Sequence, residues 1–214
     1  FAFKGNGNGI FSAPDPMLNQ LLNLNIRTDI IQLADLDLNG KPEIIVSNST
    51  ENSKQVVIVQ NNSTIANINF GTATYQQVSI SDTGPLQVED LDGDRLPEII
   101  VATYQKEKIS ILRNVTTTTN VFRFVELAPI TIGAGLIMSI KVGDINSDRK
   151  PDIVIGGYIA SLVIQVNTST AGSISFQSRS ITIPTTRAWG VDLGDLNGDG
   201  KTDIIIGVGS ILVS

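Results

Sequence analysis

The sequence predicts an all-β fold, a β-propeller of four-stranded antiparallel blades. Three observations predict it. One pattern occurs four times at spacings of 55, 54 and 51 residues, a period that suits a propeller blade better than a short solenoid turn. Short β-branched runs flank every copy, and no long stretch carries the 3.6-residue apolar period of a helix. The composition is 41% hydrophobic but only 5% aromatic, so a sizeable core is possible and must be aliphatic.

The four copies read ADLDLNGKPEIIV at 34–46, EDLDGDRLPEIIV at 89–101, GDINSDRKPDIVI at 143–155 and GDLNGDGKTDIII at 194–206. Apolar, β-branched segments at 30–36, 86–91, 137–145 and 188–196 predict the first strand of each blade. The unbroken runs at 44–46, 99–101, 153–155 and 204–206 read as second strands buried on both faces. Third strands follow at 55–60, 108–114 and 162–166, and weaker fourth strands at 74–80, 122–127 and 173–183. The predicted blades are therefore 29–82, 83–135 and 136–184, with the end of a preceding blade at 1–28 and the start of a last one at 185–214. FAFKGNGNGIFSAP at 1–14 reads as the third strand, turn and fourth strand of that earlier blade, and ILVS at 211–214 as an early third strand. Two arrangements fit: a segment of a larger propeller, which is the favoured reading, or terminal halves that join as one composite blade and close a four-bladed ring. Blade faces are apolar and need neighbours, so an open segment is marginal alone.

Composition excludes several functions. With no His and no Cys there is no His/Cys zinc site, no Ser-His-Asp triad within the chain, no thiol nucleophile and no disulfide framework. A net charge of -6 with only 15 dispersed cations argues against general nucleic-acid binding. No apolar run reaches the roughly 18 residues of a membrane span. The chain opens on Phe1 without a signal segment and reads as a mature or excised piece. Asn-x-Ser/Thr triplets at Asn48, Asn61, Asn62, Asn114 and Asn167 lend mild support to a secreted origin.

The repeated loop carries the chemistry. Counted from its lead aspartate, position 1 is Asp35, Asp90, Asp144 or Asp195, and position 3 is Asp37, Asp92, Asn146 or Asn197. Position 5 is Asn39, Asp94, Asp148 or Asp199, and position 9 is Glu43, Glu98, Asp152 or Asp203. Every one of these positions offers a side-chain oxygen. Position 7 is Lys41, Leu96, Lys150 or Lys201, a variation expected if only its backbone carbonyl is used. Calcium takes six to eight oxygen ligands, often from alternate positions of a tight loop whose intervening residues face outward. Asp and Asn also make good β-turns, but chance matches to all four positions arise roughly 0.1 times in a chain of this composition. Up to four Ca2+ ions are expected. An EF-hand needs a Glu at position 12 and flanking helices, and position 12 here is Val46, Val101, Ile155 or Ile206.

The loops are unequal. The Asp195 loop has Gly198 and Gly200 at positions 4 and 6, whereas Arg95 and Arg149 stand at position 6 of the second and third loops and Leu38 at position 4 of the first. If position 6 is left-handed, a non-Gly residue costs about 1 kcal/mol there. The Asp195 loop is therefore expected to bind most tightly. Thirteen of the 21 acidic residues occupy ligand positions, so the acidity belongs to the loops rather than to a general surface.

GDLNGDGKTDIIIG at 194–207 and EDLDGDRLPEIIV at 89–101 resemble the calcium loops of FG-GAP/VCBS repeats, which build the integrin α-subunit β-propeller and many secreted propellers. The resemblance spans nearly the whole chain. It implies calcium at positions 1, 3, 5, 7 and 9, between the first two strands of each blade, and typically seven blades. It also implies an extracellular or cell-surface location and a protein or glycan ligand on the face opposite the calcium loops. That face comprises residues 47–54, 103–108, 156–161 and 207–210, with the connections at 81–85, 131–135 and 184–187. Tyr104, Lys106, Tyr158, Arg187 and Trp189 are the recognition candidates there. Against each stands a plainer reading, as for Trp189, since Trp is usually largely buried. A non-catalytic adhesion or recognition module is the first functional reading. A purely architectural segment of a large surface protein is the second, and a propeller-based polysaccharide lyase or hydrolase the third. An enzyme needs an acid or base outside the loops, and the isolated carboxylates Asp15, Asp29, Glu51, Asp82, Glu107, Glu126 and Asp192 form no recognisable pair.

Overall fold

In the four hairpins that open the blades, position 9 always pairs with the residue just before position 1. The pairs are Ala34↔Glu43, Glu89↔Glu98, Gly143↔Asp152 and Gly194↔Asp203. The computed structural model describes residues 5, 7–10, 27, 30–104, 107–133, 135–158, 161–183 and 187–208. Among them lie fifteen strands and no helix. The first sheet is β1 (Ile31–Ala34), β2 (Glu43–Ser47), β3 (Gln55–Asn61) and β4 (Phe70–Gln77), paired in that order. The second is β5 (Thr83–Glu89), β6 (Glu98–Thr103), β7 (Lys108–Asn114) and β8 (Phe124–Glu126), with β9 (Ile130–Thr131) also on β7. The third is β10 (Ile137–Gly143), β11 (Asp152–Gly157), β12 (Ser161–Asn167) and β13 (Phe176–Thr182). β14 (Gly190–Gly194) and β15 (Asp203–Gly207) pair as the start of a fourth. All these pairings are antiparallel.

The first strands β1, β5, β10 and β14 pack on one another in sequence, and the outer strands of each sheet lead away from them, which is the blade arrangement of a propeller. The second strands β6 and β11 are buried on both sides because a blade lies against each face of their sheets. Alternation along them sorts the core. Ile45, Val56 and Ile58 of the first blade meet Leu86, Ile99 and Val101 of the second. Ile100, Ile109 and Ile111 meet Ile140, Ile153 and Ile155 of the third, and Val154, Leu162 and Ile164 meet Val191 and Ile204 of the fourth. The principal cores are thus interfaces between blades, filled by aliphatic side chains at about 1.5–3 kcal/mol each.

The outermost faces lack such cover. Leu196 is 66% exposed, whereas Leu36 and Leu91 at the same loop position are 0% and 1% exposed. Ile205 is exposed where Ile45, Ile100 and Val154 are buried, and Ile31 and Leu33 are exposed on β1. Among the described residues the array is open at both ends.

The outer strands differ most from expectation. β4 begins four residues before the predicted strand, and the second blade's outer strand is split into β8 and β9. Pro129 falls in the gap and has no N–H to give to the ladder. Most of the predicted end of a preceding blade at 1–28 and the predicted early third strand at 211–214 lie outside the described residues. No helix among the described residues is long and apolar enough to cross a membrane.

Candidate metal centres

Each repeated loop folds on the same backbone. Position 4 is left-handed at Leu38 (φ 58°), Gly93 (79°), Ser147 (64°) and Gly198 (80°). Position 6 is left-handed at Gly40 (84°), Arg95 (77°), Arg149 (67°) and Gly200 (81°). Only the Asp195 loop has glycine at both, so it alone avoids the steric cost of about 1–2 kcal/mol per non-Gly residue. The sequence pattern drew attention to position 6; the demand at position 4 is equally strict.

The carboxylate at position 1 organises these turns by accepting loop N–H groups. Asp35 accepts from Asn39 (3.0 Å) and Gly40 (2.7 Å), and Asp90 from Gly93 and Arg95 (2.8 Å each). Asp144 accepts from Arg149 (2.7 Å), and Asp195 from Gly198 (2.7 Å) and Gly200 (2.8 Å). The bond from Gly200 leads the causes that hold the exposed Asp195 carboxyl below its usual range. Side-chain oxygens at position 5 accept from the N–H of position 7 in all four loops, at 2.8–2.9 Å.

Position 9 has a framework role that spacing alone did not show. Glu43 accepts from Leu36 N–H (3.0 Å) and Asn61 N–H (3.4 Å). Glu98 accepts from Leu91 (2.8 Å) and Asn114 (3.2 Å), and Asp152 from Ile145 (3.1 Å) and Asn167 (2.7 Å). Each of these carboxylates ties its loop to the end of the third strand. All three are buried, and burial raises their pKa values against the opposing effect of these bonds. Glu98 is pushed up to about 8.

The donor chemistry fits a hard dication. Carboxylate oxygens of Asp35, Asp37 and Glu43 lie within 4.8 Å of one another, as do those of Asp90, Asp92 and Glu98. Oxygens that close can share a cation with Ca–O distances of about 2.3–2.6 Å. The third and fourth loops bring no such three-carboxylate set together among the described residues, because position 3 is Asn146 or Asn197. Lys41, Leu96, Lys150 and Lys201 at position 7 offer main-chain carbonyls only.

Neighbouring blades meet at these loops. Asp37 accepts the N–H of Asn120 (2.6 Å) from the second blade, and Asp92 that of Gly172 (3.1 Å) from the third. Buried Asn114 donates its amide to Leu36 C=O (2.8 Å) of the preceding blade and to Pro97 C=O (3.2 Å). Asn167 repeats this with Leu91 C=O (2.8 Å) and Pro151 C=O (2.9 Å). Their side-chain oxygens accept from Thr116 and Ser169, two residues on. Asn61 donates to Pro42 C=O and accepts from Ser63 in the same way. The triplets at 61, 114 and 167 are therefore side-chain turns that stitch the third strand to the loop, not free glycan acceptors. Asn48 is buried too, and only Asn62 of the five is exposed. The support these triplets lent to secretion falls away at four positions.

The family model described as FG-GAP-like repeat matches residues 90–155 and 150–206, together more than half of the chain. The chain belongs to the FG-GAP-like repeat family. Comparison with curated proteins finds no match. The matched FG-GAP-like segments contain the second, third and fourth loops, and the first loop repeats their register and hydrogen bonds.

At the other end of the strands, three of the recognition candidates gather. Arg187 lies over the Tyr158 ring, 4.9 Å from its centroid, and Trp189 meets Tyr158 edge-on at 4.8 Å. Trp189 is 42% exposed, so its packing leaves a large part of the indole open. Tyr104, one blade earlier, lies over Gly84, where an added Cβ would come within 2.7 Å of the ring. Lys106 lies outside the described residues. A cleft of ≈ 570 Å³ on this side is lined by Lys54, Lys108 and Ser81, and one of ≈ 740 Å³ lies on the loop side between Asp90 and Asp144. Among the isolated carboxylates, Glu126 accepts from Ser79 and Ser110, Glu107 from Gly135 N–H and Asp82 from Asn52 N–H. Asp192 pairs with Lys141 at 3.1 Å. Asp15 and Asp29 lie outside the described residues.

Proposed function

We propose that the chain is a calcium-stapled, non-catalytic recognition module of an extracellular or surface protein. The loops led by Asp35, Asp144 and Asp195 hold Ca2+ through positions 1, 3, 5 and 9 and the carbonyl of position 7. The observation that carries this reading is the convergence of position 1, 3 and 9 carboxylates on one backbone design. The dication would supply charge neutralisation and a cross-link between the two strands of each opening hairpin. Membership of the FG-GAP-like family supports the location, since such repeats are typical of extracellular and surface proteins. Isolated carboxylates engaged in framework hydrogen bonds support a non-catalytic role. Calorimetric titration of Asp35→Ala, Asp144→Ala and Asp195→Ala tests it. Each substitution is expected to remove one ion, with the Asp195 loop tightest. A chain that binds no calcium overturns the reading.

The face with Arg187, Tyr158 and Trp189 meets the ligand, a protein or a glycan. An exposed indole beside a cation and a phenol offers stacking and hydrogen bonding together. A glycan array with wild type and Trp189→Ala tests this half, and signals that persist in the variant count against it.

A further inference from the structure

We propose that Arg113 is the resident cation of the Asp90 loop, taking the place there that calcium takes in the other loops. The proposal rests on the calcium reading and refines it. Arg113 stands on β7, one residue before Asn114. Its Nε donates to Asp92 Oδ2 at 3.1 Å and its Nη2 to Asp94 Oδ2 at 3.4 Å. One guanidinium thus holds positions 3 and 5 together. The Asp92 side chain is 0% exposed and that of Arg113 24%. Gly172 N–H of the third blade donates to the same Asp92 oxygen, so the pair is closed over by the next hairpin.

Among the described residues the arrangement belongs to this loop. Register aligns Arg113 with Gln60 in the first blade and Val166 in the third. Neither can supply a charge. The Asp90 loop is also the one with four carboxylates at the ligand positions, where each of the others has three. The extra negative charge and the extra cation occur together. A guanidinium is never deprotonated in a protein, and its planar fork suits two carboxylates. A buried carboxylate without a partner is strongly destabilising, which the arginine prevents in every calcium concentration. A dication drawn to Asp90, Asp92 and Glu98 has to displace Arg113 or share the site with a like charge. The Asp90 loop is therefore held to the third strand of its own blade permanently, and calcium controls the other loops.

The test counts calcium ions by equilibrium dialysis on wild type, Asp90→Asn, Arg113→Gln and the double variant, with melting in chelator and in calcium. Wild type and Asp90→Asn are expected to bind the same number. Arg113→Gln is expected to bind one more and to lose it again in the double variant. It should melt below wild type in chelator and recover in calcium. A structural arginine with no bearing on calcium predicts the loss without the recovery and an unchanged count, which overturns the proposal. A wild type that loses an ion in Asp90→Asn overturns it too, even if Arg113→Gln does not fold, and leaves the calcium reading standing. No ion bound by any of these chains overturns both.

Discussion

Asn114→Ala removes one side chain and three hydrogen bonds between blades and loops. Its amide donates to Leu36 C=O at 2.8 Å and Pro97 C=O at 3.2 Å, and its oxygen accepts from Thr116 N–H at 3.0 Å. Asn114 and Leu36 are fully buried and Thr116 nearly so, so water does not replace the partner lost at Leu36 or Thr116, while Pro97 is part-buried. At about 1 kcal/mol net per bond the loss is about 3 kcal/mol, and orphaned buried groups raise it toward about 5 kcal/mol. For a chain of this size 1 kcal/mol shifts Tm by about 2–4 °C. Urea and thermal unfolding measure it, with Asn62→Ala as the exposed control, expected within about 0.5 kcal/mol of wild type. Asn114→Asp is expected to be no better, because the donor becomes an acceptor facing two carbonyls. A loss below about 0.5 kcal/mol in Asn114→Ala, matching the control, refutes the reasoning that these triplets are framework.

Leu38→Gly relieves a left-handed leucine that is exposed, and a gain of about 0.5–1 kcal/mol is expected in chemical unfolding. Gly157→Ala places a Cβ 1.8 Å from Leu136 O, a backbone atom, and is expected to cost at least about 3 kcal/mol or to prevent folding, read by circular dichroism. Burial puts the folded pKa of Glu98 at about 8, above the unfolded value of 4.5. The folded state therefore holds this proton more tightly, and the contribution is fully present below pH 4.5 and lost as pH rises through about 8. In chelator, stability should fall across that window, and Glu98→Gln should flatten the fall; an equal slope in both chains contradicts it.

The repeat made most of the fold legible. Four loops in one register located eight strands at once, because a hairpin loop fixes the strand ends on either side of it. The outer strands were less legible, since their exposed residues carry little apolar pattern and Pro129 divides one of them. The loop oxygens were legible by residue type, whereas the second duty of Glu43, Glu98 and Asp152 needed the third strand in place. Asn114 and Asn167 were misleading because a glycan acceptor and a side-chain turn share the same three letters. Arg113 carried no signal until register placed it against Asp92, 21 residues away. Tyr158, Arg187 and Trp189 were selected by position in the blade, and the connection from β13 to β14 brings them into contact.

Thermal unfolding in saturating calcium against chelator tests the central claim most directly. Each loop that binds the ion stabilises the chain by about 2.7 kcal/mol at a hundredfold excess over Kd. A rise in Tm of about 5–10 °C for each occupied site follows for a chain of this size. The account predicts that rise with calcium and its reversal on chelation. A melting temperature that is the same in both contradicts it.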